Sequence, residues 1–236
     1  MLCLHKGAVR ETRDALRGMR APEPVGRWLP IGHGELADAA VERAGAAGLL
    51  LDTEEWGVSN DRNRLYGVLK FKPDAGFGLP AGMGPSLGLR SSYDKSVAIN
   101  VCVGAKVFVC DNGVFSGDFS IRKLHTTGFR LRDELDGAFG RFKGAVSALG
   151  ETVGRMKTRS LEDRDAKALL LDAFRAEVMP WSYLKDVQGE YFEPRHEEFK
   201  PRNAWSLYNA FTEVVKQRGP DDQVRTFRGL NALLAN

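Results

Sequence analysis

Leu131, Leu135, Phe139, Phe142, Val146, Leu149, Val153 and Met156 follow one another at steps of four and three. That spacing puts every one of these side chains on a single stripe of a 3.6-residue helix, and so predicts a long amphipathic helix beginning at Leu131. The same segment carries Gly137, Gly140, Gly144, Gly150 and Gly154. Each glycine costs a helix about 1 kcal/mol relative to alanine. Their presence implies a backbone passing close by, from a sheet or from a neighbouring subunit.

Upstream the apolar period falls to two. "LLLDTEEWGV" and "RLYGVLKFK" read as strands of a hairpin joined by the turn-rich "SNDRN". In the second run Leu65, Gly67, Leu69 and Phe71 share one side, while Tyr66, Val68, Lys70 and Lys72 share the side away from the core. Pro73 to Pro85 holds three prolines and four glycines and reads as a connector. Val97, Ile99, Val101 and Val103 then point one way, with Ala98, Asn100 and Cys102 pointing the other. Gly104-Ala105 has the form of a two-residue hairpin turn, after which "KVFVC" returns.

The remaining elements are helical or irregular. Residues 1–30 read as a partly helical lead-in ending at the Pro-rich "APEPVGRWLP". His33 to Ala47 reads as a helix, with Leu36, Ala40, Val41 and Ala44 inward and Gly48 placed to stop it. "SLED" at Ser160 has capping-box spacing for a helix running to about Val178. Residues 180–202 read as mixed loop. Asn203 to Arg218 is a helix burying Trp205, Tyr208, Phe211 and Val215, and a short helix from Phe227 to Leu234 follows. The expected fold is α+β: a central antiparallel β-sheet of about four strands backed by the long helix, with a helical C-terminal section. Residues 1–130 would supply the lead-in, helix and meander, and residues 131–236 the helices packed on it, as one continuous domain.

Composition narrows the function classes. At 43% hydrophobic, 28% charged and mean hydropathy −0.31 the chain reads as a soluble globular protein. No apolar run approaches the roughly 18 residues of a membrane span, and no membrane partner is expected. Charges in every turn of "MLCLHKGAVRETRDALRGMR" argue against a signal peptide. Cys3, Cys102 and Cys110 lack metal-ligand spacing and fit small apolar roles in a reducing cytoplasm. There is no phosphate loop, HExxH, nucleophile elbow or CxxC, and the four histidines stand singly, so no cofactor is expected.

The charge is uneven. Residues 60–160 hold 16 Lys and Arg against 9 Asp and Glu, a net of +7, whereas the rest of the chain is net −4. A basic centre between acidic ends suits a polyanion-binding face. Arg62, Arg64, Lys70 and Lys72 lie on or beside one hairpin, and Arg90, Lys95 and Lys106 flank the next. Arg122, Lys123, His125 and Arg130 lead into the long helix. Tyr66, Tyr93 and Phe115 interleave with them as base-stacking candidates, and Phe119 lies nearby. Cations that follow a phosphate chain, with rings on which bases stack, are what a single-strand groove needs. The expectation is therefore non-specific binding of single-stranded DNA, without catalysis.

A rival reading uses Asp94, Asp111 and Asp118, which could converge at a strand end near Lys95 and His125 and hold Mg²⁺ for phosphodiester cleavage. Asp94-Lys95 and Asp111-Asn112-Gly113 are equally ordinary turn chemistry. A third reading takes the acidic ends as the contact surface of a protein-binding inhibitor of a host system.

The stretches "PVGRWLPIGHGEL", "GLRSSYDKS", "VFVCDNGVFSGD", "KLHTTG" and "PRNAWSLYNAFTEVVK" occur in an order that resembles the phage/plasmid-like proteins of the domain-of-unknown-function family nine-three-two. The resemblance runs from near residue 22 to the end. It departs at Ser91-Ser92-Tyr93, where the family often has Asn-Ser-His before the aspartate; a catalytic acid at that histidine would be missing here. The family's occurrence on phages and plasmids implies a task in mobile-element DNA metabolism. The order of elements, helix then meander then long helix, is also similar to the core of single-strand annealing proteins. That likeness implies annealing of complementary strands by a homo-oligomeric ring or filament.

Overall fold

The computed structural model describes residues 7–73, 75–107, 113–123 and 128–234, with the backbone alone at Ala75, Lys106, Val107 and residues 113–123. Six strands form the sheet: β1 (Val9–Glu11), β2 (Leu51–Val58), β3 (Arg64–Phe71), β4 (Met83–Ser92), β5 (Ile99–Val107) and β6 (Gly113–Lys123). They pair in chain order and always antiparallel, so the sheet is a meander. The helices are α1 (Arg13–Arg17), α2 (His33–Ala46), α3 (Leu131–Thr158), α4 (Asp163–Arg175), α5 (Leu184–Phe192), α6 (Ala204–Val215) and α7 (Pro220–Leu234). The expected α+β class holds, with six strands in place of about four.

β4 accounts for much of that difference. It begins at Met83, inside the stretch expected to be connector, and lies in the middle of the sheet. Met83, Leu87 and Leu89 alternate with Gly84, Ser86 and Gly88, so only half the positions carry an apolar signal. Pro85 is tolerated because the β3 partners begin at Ser86, and its missing N–H costs no bond to β3. Gly104-Ala105 is not a turn: β5 runs through both residues, which face Ser86 and Pro85 of β4.

Period two divides the sheet into unlike faces. Leu65, Leu69, Phe71, Leu87, Leu89, Ile99, Val101 and Val103 pack against α2 and the first half of α3. The second half of α3, Leu149 to Met156, joins α4, α5, α6 and α7 around Trp205, Tyr208 and Phe211. Every apolar residue of the predicted α3 stripe is buried. The close approach expected at its glycines holds at Gly150, where a Cβ would stand 2.3 Å from the Gly78 carbonyl oxygen. Around Gly140, Gly144 and Gly154 a Cβ would meet nothing within 4 Å. The segment before β4 thus packs on α3, with Phe77 edge-on to Phe142 at 6.0 Å.

Three helix expectations change. Ser160 forms an isolated bridge to Asn203 and does not cap α4, whose N-cap Glu162 makes no side-chain cap bond. Asn203 accepts from Ser206 N at 2.8 Å to cap α6 and donates to Lys157 O at 3.1 Å. α5 occupies the expected 180–202 loop. The final helix begins at Pro220, not Phe227; proline at its first position suits the helix start, and Asp221 and Asp222 complement the dipole there.

Candidate anion-binding cleft

The opposite sheet face carries the polar residues. Antiparallel pairing places Tyr66 beside Arg90, Arg90 beside Asn100, and Asn100 beside Arg122, in one row across β3, β4, β5 and β6. Directly paired residues share a face, so Tyr66, Arg90 and Asn100 point together, with Arg64 one pleat along β3. α7 lies over this face, and Val224 packs on Tyr66 and Val68. The first turn of α7 brings in Asp221. Its carboxylate accepts from Arg64 Nη1 at 2.9 Å, from Tyr66 Oη at 3.0 Å and from Arg90 Nη1 at 3.1 Å. Burial, together with that carboxylate, pushes the Tyr66 hydroxyl up to about 12, so it is a protonated donor near neutrality.

A cleft of about 380 Å³ opens beside this junction, lined by Arg64, Arg90, Asn100, Asp221, Arg225 and Arg228, with Ser96 at its edge. The lining holds four arginines and one carboxylate, and two of the four, Arg64 and Arg90, bond to it. Arg64 is braced by Ser96 Oγ, which accepts from its Nε at 3.0 Å. Asn100 is 3% exposed; its Nδ2 donates to Ala98 O at 2.6 Å, and its Oδ1 has no partner among the described residues. A larger cleft of about 760 Å³ lies between the α1 side and the β2–β3 turn, but its lining charges balance, Arg20 and Arg62 against Glu23 and Asp61. Of these two clefts, the one beside α7 concentrates one sign of charge.

The expected cations whose side chains are described do not form one stripe. Arg64 and Arg90 belong to the cleft. Lys70 is 9% exposed and bound to Glu55, so it is withdrawn from solvent. Arg62, in the β2–β3 turn, stands 3.8 Å from Glu11. Lys95 lies over the Trp28 ring at 4.8 Å, and Lys72 is exposed just past β3. Arg130 precedes α3, which packs on the other sheet face, and is 3.8 Å from Asp133. Strand register places Arg122 in the cleft row and Lys123 beside Ile99, with Lys106 opposite Gly84. The side chains of Lys106, Arg122, Lys123, Phe115 and Asp118 lie outside the description, as do His125 and Asp111 entirely.

The two tyrosines expected as stacking platforms, Tyr66 and Tyr93, are buried and not open to a base. Tyr66 is 3% exposed beneath α7. Tyr93 is 8% exposed; its ring stacks on His33 at 3.8 Å, and its hydroxyl accepts from His33 N at 2.7 Å. Of the nuclease rival's three carboxylates, Asp94 alone has a described side chain. Partial burial disfavours that charge, but hydrogen bonds from Ser96 and the Arg64 charge hold the carboxyl below its ordinary value. The side chain is thus engaged in a turn. Among the described residues no cluster of His, Cys, Asp or Glu could hold a metal ion, and no helix is long and apolar enough to cross a membrane. Cys102, on the same sheet face, is buried, and burial pushes its thiol up to about 12.

Sequence reasoning missed Asp221, Arg225 and Arg228. The signal was present in "GPDDQVRTFRGL": proline then two aspartates mark a helix start, and Arg225 and Arg228 share a helix face. A family model described as Domain of unknown function (DUF932) matches residues 36–234. No curated protein and no solved structure matches the chain.

Proposed function

The chain belongs to the DUF932 family, and from the geometry of its cleft we propose that it binds single-stranded DNA through the α7-covered side of the sheet. The observation that carries this reading is the gathering of Arg64, Arg90, Arg225 and Arg228 around one cleft whose lining holds a single carboxylate, Asp221. Guanidinium groups in a half-sheltered cleft attract phosphate more strongly than lysines spread over a surface, because each offers a rigid fork of donors. The uneven charge along the chain supports the same partner.

The order of elements supports extending the proposal to annealing of complementary strands by a homo-oligomer. The resemblance to phage and plasmid proteins supports placing that work in mobile-element DNA metabolism. Titration of a labelled oligonucleotide at rising salt is the test. Affinity should fall steeply with salt, and Arg225→Glu should weaken it more than Lys72→Glu does. No affinity at low salt, or affinity indifferent to salt, overturns the reading.

A further inference from the structure

Asp221 reaches the sheet across a long stretch of chain and takes three hydrogen bonds there. All three donors come from β3 and β4, and they converge on one carboxylate from the sheet side. Arg64 is held in place from behind by Ser96, and Tyr66 is fixed in the sheet at 3% exposure. β3 and β4 thus present three donors that converge on one anion position, with Val224 of α7 packed against Tyr66. The two oxygens of a carboxylate and the two non-bridging oxygens of a phosphodiester have nearly the same spacing and charge. What one accepts, the other accepts.

We propose that Arg64, Tyr66 and Arg90 form a phosphodiester site that Asp221 occupies as an internal stand-in, so that a nucleic-acid phosphate enters by displacing this carboxylate. The inference rests on the single-strand-binding reading and adds its regulation: the resting protein holds its own anion in the site. Three observations favour exchange over a permanent strut. The Asp221 side chain is 34% exposed, so water reaches it. The rest of α7 is anchored independently through Phe227, Leu230 and Leu234, and Val178 lies within 2.7 Å of where a Cβ on Gly229 would stand. A rotation at Asp221 therefore leaves the helix seated. Arg225, one helical turn on and exposed, offers the displaced carboxylate a partner at the i,i+4 spacing.

Asp221→Asn keeps the size and one acceptor but removes the competing charge. Asp222→Asn, at the neighbouring position paired with Arg218 at 3.0 Å, makes the same change in net charge away from the sheet. With a short labelled oligothymidylate at low salt, Asp221→Asn should bind at least about tenfold more tightly than Asp222→Asn, since like charge held against a phosphate is the dominant penalty. In the wild-type protein, the ¹³C resonance of the Asp221 side-chain carboxyl should move on adding the oligonucleotide while that of Asp222 stays. Binding with Asp221→Asn no tighter than Asp222→Asn, or with a stationary Asp221 resonance, overturns the stand-in and leaves the DNA reading intact. Absence of binding by all three proteins overturns both.

Discussion

The two faces of the sheet are built from the same strands, residue by residue, yet they solve different problems. Towards α3, Leu65, Leu69, Leu87, Leu89, Val101 and Val103 bury only hydrocarbon. Towards α7, Arg64, Tyr66, Ser86, Arg90, Asn100 and Cys102 mix small, polar and charged groups. The first face gains from area removed from water and needs no direction. The second must satisfy each donor and acceptor, which makes it expensive to assemble and specific in what it accepts.

Breaking the first face should have the largest effect. Phe142 is 1% exposed and meets Phe71 at 5.3 Å and Phe77 at 6.0 Å, so Phe142→Ala should cost about 3–5 kcal/mol by denaturant unfolding. Gly150→Ala should cost roughly 1–3 kcal/mol, because its Cβ meets a carbonyl oxygen that cannot move alone. Gly154→Ala, in open space on the same helix, should stabilise by up to about 1 kcal/mol. The opposite signs would establish that packing, not helix propensity, explains Gly150.

The second face should reveal itself by pH. Burial is the leading cause that raises both Cys102 and Tyr66 to about 12, from ordinary values of 9.0 and 10.0. For both groups the fold favours the protonated form. Their contribution is complete below the unfolded values and is lost as pH rises towards 12. Unfolding free energy measured from pH 8 upward should decline over that window, and Cys102→Ala with Tyr66→Phe should flatten the decline. The native Cys102 thiol should also resist alkylation at pH 8 until the protein unfolds. Tyr66→Phe alone should cost about 1 kcal/mol through the bond to Asp221. Smallest of all for stability is Arg225→Gln, within about 0.5 kcal/mol of wild type for an exposed position. It should still lower the salt slope of oligonucleotide binding by about one unit.

Legibility followed the strength of local signals. α2, α3 and α6 could be read from spacing because each has an apolar stripe longer than two turns. β3 could be read from strict alternation, including which residues share a side. β4 could not, because glycine and serine at alternate positions, with Pro85 between two of them, look like a loop until strands on both sides pair with it. The candidate site was half legible: Arg64 and Arg90 stand in the expected cation set, but the first turn of α7 lies ahead of the helix expected from Phe227. Tyr66 and Tyr93 looked like exposed rings because nothing local to either position indicates the element that covers it.

Sequence alone determined the periods, and with them α2, α3, α6 and β3 and the division of β3 and β5 into two sides. Backbone geometry enforces those periods over a few residues, so a short window contains them. Tertiary packing decided that α7 lies on the polar side, and thereby that Asp221 meets Arg64 and Arg90. That meeting depends on where α3, α4 and α6 carry the chain before it returns, a property of the whole core that no local window holds.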